Sequence, residues 1–147
     1  MDILSRLRAG ISTASAGETR TLAAEFAAVL PADVTLALHG DLGAGKTTFV
    51  QGLAQGFGIA ERVTSPTFNV CRFYRGRGKG SRNLAHLDAY RLDDAAQVDA
   101  LLLEEFVVSP FCLAVEWPER IPGWLPAGAR HLEFGIAPDG DHTVRLR

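Results

Sequence analysis

Apolar positions along this chain follow two patterns, a helical spacing and short continuous runs, and the change from one to the other predicts its secondary structure. A spacing of about 3.6 residues predicts a helix over residues 18–30. The segment 34–40, VTLALHG, is a nearly continuous apolar run, which is typical of a buried strand. A glycine-rich turn and a second helical pattern over 46–57 follow it. The predicted buried face of the first helix consists of Leu22, Phe26, Val29 and Leu30.

A hairpin and a third helix are predicted in the middle of the chain. Two runs of β-formers, 67–74 and 83–88, flank the turn-rich segment GRGKGS. Beyond them, Asp93 or Asp94 can cap a helix that runs to about residue 106. Its predicted buried stripe consists of Val98, Leu102 and Phe106.

Three more strands are predicted in the last third of the chain. They cover residues 111–116, 130–136 and 142–146, and a loop with three prolines occupies residues 117–126. Strands that alternate with helices are typical of an α/β fold. We therefore expect a three-layer fold with a central, mostly parallel sheet and helices on both faces.

Composition limits the class of protein. A chain of 147 residues with 47% hydrophobic residues is expected to form one domain, residues 1–147, without disulfides or a structural metal. No apolar run approaches the roughly 18 residues of a membrane span, and charge interrupts the N-terminal segment too early for a signal peptide, so we expect a cytoplasmic protein. The net charge of −2 argues against a general nucleic-acid coat protein. We interpret Cys71 and Cys112 as buried thiols, since they form no CxxC pair.

The strongest chemical signal is the segment GDLGAGKT at residues 40–47. It matches the phosphate-loop pattern GxxxxGK followed by Ser or Thr, and it lies between a predicted strand and a predicted helix. Lys46 is expected to contact the β- and γ-phosphates of a nucleotide, and the Thr47 hydroxyl to bind Mg²⁺. The fold expected is therefore of the P-loop NTPase type. The predicted nucleotide-binding residues of the loop are Asp41, Leu42, Gly43, Ala44, Gly45, Lys46, Thr47 and Thr48.

Two acids end predicted strands near this loop. Asp88 closes NLAHLD and Glu116 closes FCLAVE. One carboxylate can bind Mg²⁺ while the other orients or deprotonates water, and the sequence leaves open which does which. Ser65, in the segment TSPT at 64–67, belongs either to a switch loop that contacts the γ-phosphate or to an ordinary turn.

Several other residues allow two interpretations each. Trp117 either stacks on a ligand or partner or covers the core. A run of basic residues is either a solvated hairpin tip or a contact for RNA phosphates or an acidic partner. None of the four histidines has the spacing of metal ligands, and we assign them no chemistry. The basic residues are Arg72, Arg75, Arg77, Lys79 and Arg82.

Four ordered motifs, GDLGAGKTT at 40–48, SPTF at 65–68, HLDAYRL at 86–92 and VEWPER at 115–120, resemble those of the TsaE family, also called YjeE. The resemblance implies an ATPase component of tRNA threonylcarbamoyladenosine biosynthesis, which assists the modification of adenosine 37. It implies ATP and Mg²⁺ as ligands and the TsaD and TsaB subunits as partners. Contact with tRNA would be indirect, through that complex, and ATP turnover would reset the assembly.

The resemblance also implies roles for individual residues. Lys46 and Thr47 match the nucleotide and metal residues, and Glu116 matches the acid on the metal side. Positions important for turnover match Ser65, Asp88 and Trp117. Ser15 lies where the first helix of the family begins, near the adenine. The glycine- and arginine-rich segment 75–82 departs from the family pattern.

Two alternative functions remain open at this point. A small-molecule kinase on the same fold usually needs a lid and an acceptor pocket, for which a chain of this length leaves little room. A GTPase switch commonly reads guanine through an NKxD motif, and neither Asn69 nor Asn83 is followed by Lys.

Overall fold

The computed structural model describes residues 1–41, 43–64 and 70–147. Its helices are α1 (Ile3–Ala9), α2 (Ala16–Ala27), α3 (Lys46–Gly56) and α4 (Ala95–Asp99), with short 3₁₀ helices at Leu103–Glu105 and Pro118–Arg120. Its strands are β1 (Ile11–Thr13), β2 (Val34–His39), β3 (Cys71–Tyr74), β4 (Asn83–Asp88), β5 (Phe111–Glu116), β6 (Arg130–Ile136) and β7 (His142–Leu146). Within the described residues, no helix is both long enough and apolar enough to cross a membrane.

The strands form one sheet in the order β1-β7-β6-β2-β5-β4-β3. The four central strands, β6, β2, β5 and β4, are mutually parallel, whereas β7, β1 and β3 run antiparallel to their neighbours. The carboxyl ends of β2, β4 and β5 therefore meet at one edge of the sheet, where ligands bind in open α/β folds. The expected three-layer architecture is confirmed.

Alternation along the central strands divides the core into two layers. On one face, Leu84, Cys112 and Ala114 join the cluster that includes buried residues of α1, α2 and α3. On the other face, Leu87 and Val115 belong to a smaller cluster with Val98 of α4 and Leu103 of the first 3₁₀ helix. The sheet is therefore covered on both sides, with the larger core on the side of α3.

Helix α2 packs unusually close to α3 through two glycines. A Cβ atom added at Gly52 would lie 2.7 Å from the Ala23 Cβ, and one added at Gly56 would lie 2.7 Å from the Ala27 Cβ. Such distances are shorter than van der Waals contact, so only glycine permits this approach. The close contact anchors the helix that follows the phosphate loop.

The segment after residue 94 differs from its prediction. Asp94 does cap a helix, accepting from the Gln97 amide at 3.1 Å, but α4 ends at Asp99. Leu102 takes a left-handed backbone (φ 54°) that redirects the chain. The predicted buried stripe is therefore wrong beyond Val98: Leu102 is exposed, and Phe106 is 56% exposed and packs on Phe73, with ring centroids 5.5 Å apart.

Other boundaries also shift. The first predicted helix, α2, begins at Ala16 and ends at Ala27, three residues before its predicted end, so Val29 falls outside it and is exposed. The Ser15 hydroxyl accepts from the Glu18 amide and so caps the start of α2. Cys112 is buried as expected, whereas Cys71 is only half-buried. Helix α1 and strand β1 have no counterpart among the predicted elements.

Candidate nucleotide site

The phosphate loop leaves β2 and enters α3 through glycines whose geometry few other residues allow. Gly45 has φ 100° and is the N-cap of α3, with no side chain to cap the first free amides. A Cβ atom at Gly40 would lie 2.6 Å from the Phe134 carbonyl oxygen. Among the described residues no side chain caps the start of α3, so its first-turn amides and the positive end of its dipole together favour an anion.

Lys46 is nearly buried, with 4% of its surface exposed. Its Nζ donates to the Gly40 carbonyl oxygen at 2.5 Å and lies 4.3 Å from the centroid of the Trp117 ring. Among the ion pairs formed by the described residues, none includes Lys46. A buried ammonium group without a carboxylate partner is costly, and a bound phosphate would offset that cost.

One cavity of about 240 Å³ brings most of the predicted residues together. It is lined by Gly43, Gly45, Lys46, Thr47, Thr48, Asp88, Glu116, Trp117 and His142. Two hydroxyl groups, two carboxyl groups and an ammonium group thus surround one space. Hydroxyl and carboxylate oxygens are ligands that Mg²⁺ prefers in proteins.

The two acids lie side by side but differ in their surroundings. Asp88 and Glu116 are direct register partners across β4 and β5. Asp88 is half-buried, and its Oδ1 accepts from the Tyr90 amide at 3.0 Å. Glu116 is 6% exposed, and its Oε2 lies 2.5 Å from Nε2 of the buried His86. Neither acid pairs with Lys46, so the cavity keeps carboxylates and ammonium group apart.

Trp117 combines a strained backbone with a central position. It follows Glu116 in the left-handed conformation (φ 56°), which is uncommon for a bulky residue. Its ring also packs on Tyr90, at 5.1 Å between centroids, and Arg120 lies over the Tyr90 ring. Strain of this kind is frequent at ligand-binding sites. The indole thus lines the cavity as well as covering the core.

Two histidines to which the sequence analysis assigns no role lie at or beside this cavity. His142 begins β7, and its Nδ1 lies 3.1 Å from the Ala44 carbonyl oxygen in the phosphate loop. Since a carbonyl only accepts, Nδ1 is the donor. His86 contacts Glu116 from within β4. The sequence carried a signal for His86, which precedes Asp88 by two positions and therefore shares its face of the strand.

Some predicted residues lie elsewhere. Ser15 caps α2 and lines a different cavity, which includes Thr13, Thr21 and Glu25. Asp41 is exposed, and its carbonyl oxygen accepts from the Ala44 amide. Leu42 and Ser65, with the rest of the segment 65–69, lie outside the described residues.

Comparison with known proteins identifies the family. Residues 13–145 match the family model described as "Threonylcarbamoyl adenosine biosynthesis protein TsaE". The chain belongs to the TsaE family. This TsaE-family chain is of the P-loop NTPase type, as the loop indicates.

Individual relatives agree with the assignment. The chain is 42% identical over 132 residues to a Bacillus subtilis protein named tRNA threonylcarbamoyladenosine biosynthesis protein TsaE, covering 90% of this chain and 80% of that one. A Synechocystis protein of the same name is 44% identical over 102 residues, covering 67% of this chain and 62%, less than two thirds, of the relative. The crystal structure of Bacillus subtilis YdiB superposes with a TM-score of 0.74 at 32% identity, covering 93% of this chain and 82% of that one.

Proposed function

We propose that this protein binds and hydrolyses ATP with Mg²⁺ as an accessory component of tRNA threonylcarbamoyladenosine biosynthesis. The observation that carries the proposal is the buried Lys46 without an acidic partner among the described residues, at the open start of α3. The names of the relatives support the pathway. The reaction itself is inferred from the residues around the loop.

The residues present fit a magnesium–triphosphate group. Loop amides and Lys46 would hold phosphate oxygens, and Thr47 with Glu116 would hold the metal. No group of three or more His, Cys, Asp or Glu side chains within the described residues is arranged to bind a metal by itself. Mg²⁺ commonly takes one or two protein ligands together with substrate phosphates, which matches a metal that arrives with its nucleotide. The bound metal would neutralise part of the negative charge of the phosphates.

Asp88 is proposed to orient or deprotonate the attacking water. Asp88 lines the cavity beside Glu116, and its Oδ1 accepts a hydrogen bond from the Tyr90 amide. Phosphoryl transfer depends mainly on position and charge, so one oriented carboxylate suffices for this role. The roles proposed for Ser65 in turnover and Ser15 near the adenine stand on the family resemblance alone.

We further propose that the protein acts with TsaD and TsaB in the cytoplasm and reaches tRNA only through that complex. Co-purification of the three proteins, with and without ATP, tests the assembly. A protein that failed to bind TsaD and TsaB under every nucleotide condition would contradict it.

Nucleotide binding is tested by substituting Lys46 with Ala and measuring ATP affinity by calorimetry. Lys46→Ala should abolish ATP binding, because it removes the ammonium group that contacts the loop at Gly40 and is proposed to bind the phosphates. Lys79→Ala is the matched control, since Lys79 is exposed in the β3–β4 turn and the net charge changes equally. Unchanged affinity of Lys46→Ala would contradict the proposed function. Release of free phosphate, rather than transfer to a metabolite, distinguishes an ATPase from a kinase.

A further inference from the structure

Among the described residues His86 is the one buried histidine, with 0% of its surface exposed, and it lies on the same face of β4 as Leu84 of the larger core. Its register partner on β5 is Ala114, yet its Nε2 lies 2.5 Å from Oε2 of Glu116, two residues further along. The contact therefore runs diagonally across the β4–β5 pair, toward the edge that carries the phosphate loop. It joins the core to a side chain of the candidate nucleotide site.

The chemistry of the pair fixes which group donates. In the metal-binding role proposed for it, the Glu116 carboxylate only accepts hydrogen bonds, so Nε2 of His86 is the donor. The bond then occupies Oε2 of Glu116 and leaves Oε1 available to the cavity that Glu116 lines. Nδ1 of His86 is buried and has no hydrogen-bond partner within the described residues. A hydrogen on Nε2 is thus the one that finds an acceptor, since Nδ1 faces none among these residues.

We propose that His86 is a positioning residue for Glu116: it holds one carboxylate oxygen from inside the core so that the other faces the magnesium–nucleotide site. This inference rests on the proposed function. A glutamate side chain has three rotatable bonds, and a hydrogen bond to one oxygen removes much of that freedom. Residues that hydrogen-bond to metal-ligating groups commonly change metal affinity or activity by about 10–100-fold when they are replaced.

A purely structural role for His86 makes a different prediction. If the ring only fills space, its replacement should lower stability without changing how nucleotide binding depends on Mg²⁺. The amide of Gln can place a donor nitrogen near the position of Nε2, whereas Leu fills similar space without a donor. The pair His86→Gln and His86→Leu therefore separates the two roles.

The first test titrates Mg²⁺ at fixed fluorescent ATP analogue and records the Mg²⁺ concentration at half-saturation. His86→Leu should raise this concentration by about 10–100-fold, and His86→Gln should restore a value close to wild type. Affinity for the analogue in EDTA should stay unchanged in both variants. Leu87→Val is the matched control, because Leu87 is buried on the opposite face of β4 and its truncation affects only packing.

The second test needs neither nucleotide nor substitution. Long-range ¹⁵N–¹H correlation spectra of the free protein should show a hydrogen on Nε2 of His86, the nitrogen that faces Glu116. A ring protonated only at Nδ1 could not donate to Glu116 and would overturn the inference. This measurement does not depend on the folding of any variant.

The outcomes separate this inference from the proposed function. Wild-type protein that binds no ATP at any Mg²⁺ concentration overturns the proposed function and the role of His86 with it. Wild-type protein that binds, combined with a His86→Leu variant of unchanged Mg²⁺ dependence, overturns the role of His86 alone. A raised Mg²⁺ requirement in His86→Leu that His86→Gln does not restore also overturns it.

Discussion

Nζ of Lys46 lies 4.3 Å from the centroid of the Trp117 ring, and both side chains line the cavity at the phosphate loop. A cation over an indole face gains about 0.5–2 kcal/mol, depending on how far it is desolvated. The ring thus stabilises the ammonium group where no carboxylate within the described residues does so. A bound phosphate would compete with the ring and with the Gly40 carbonyl for the same charge.

We expect the fluorescence of Trp117 to report this competition. Trp124→Phe leaves Trp117 as the single tryptophan, since the chain has two. Addition of ATP with Mg²⁺ should then change the emission of Trp117, because Lys46 moves away from the ring toward phosphate. Lys46→Met in the same background should remove the response. A response that persists in Lys46→Met would contradict the coupling of Lys46 to Trp117.

Asp88 and Glu116 should fail in different ways when each loses its charge. Asp88→Asn should bind ATP almost normally but turn it over about 100-fold or more slowly, as expected for loss of an oriented base. Glu116→Gln should instead need more Mg²⁺ for binding. Calorimetry at several Mg²⁺ concentrations and phosphate release measure the two effects. Glu119→Gln, an isosteric change at an exposed position, is the control. The opposite pattern would exchange the two roles.

Local sequence signals predict where the main residues of the candidate site lie along the chain. Lys46, Asp88 and Glu116 were each predicted from a motif or from a strand end, and parallel pairing of β2, β4 and β5 then brings them to one edge. The stripe through Leu102 and Phe106 was wrong because periodicity does not reveal that a left-handed Leu102 ends the helix pattern. Residues beyond Leu102 that keep the helical spacing therefore do not point at the core.

Contacts between residues far apart in the sequence could not be predicted from local sequence patterns. His86 meets Glu116 across 30 positions, and His142 meets Ala44 across 98. Each contact depends on the order of strands in the sheet, which the local patterns of a single sequence do not reveal. Polar residues in the middle of an apolar strand, such as His86 in NLAHLD, are nevertheless a signal, because a buried polar group requires a partner.

His142 is expected to support the shape of the phosphate loop. Its Nδ1 donates to the Ala44 carbonyl, and a Cβ atom at Gly45 would lie 3.2 Å from the same nitrogen. Loss of one such bond costs about 1 kcal/mol, so His142→Ala should weaken ATP affinity about fivefold. His142→Asn places an amide donor near Nδ1 and should retain most of the affinity. Equal affinities for all three proteins would show that the bond does not matter for binding.

Gly52 tests the close packing of α2 on α3. Alanine favours a helix over glycine by about 1 kcal/mol, so propensity alone predicts that Gly52→Ala stabilises the protein. The added methyl would instead lie 2.7 Å from the Ala23 Cβ, and we expect a net destabilisation of about 1–3 kcal/mol. Gly17→Ala is the matched control in α2, where the nearest atom would be the Ser15 Oγ at 3.7 Å. Urea denaturation of both variants measures the difference.

The stability of the protein should fall in mildly acidic solution because of His39. This residue ends β2, and its Nε2 lies 2.8 Å from Nδ1 of His131. Burial, assisted by the charges of Arg147 and His131 and opposed by Glu119 and Glu133, lowers the pKa of His39 below its ordinary 6.5. The unfolded chain therefore binds a proton at this position at a pH where the folded chain does not.

The direction of the effect follows from this difference. Well above pH 6.5 both states are neutral at His39 and the residue adds no pH dependence, whereas stability is lost as the pH falls through 6.5 until the lowered pKa is passed. Wild-type protein should lose more unfolding free energy than His39→Gln between about pH 7.5 and pH 5.5. Glu133, whose pKa is lowered from 4.5 by a hydrogen bond from Arg147, affects stability only at lower pH. Parallel pH profiles of the two proteins, measured by urea denaturation, would contradict a lowered pKa at His39.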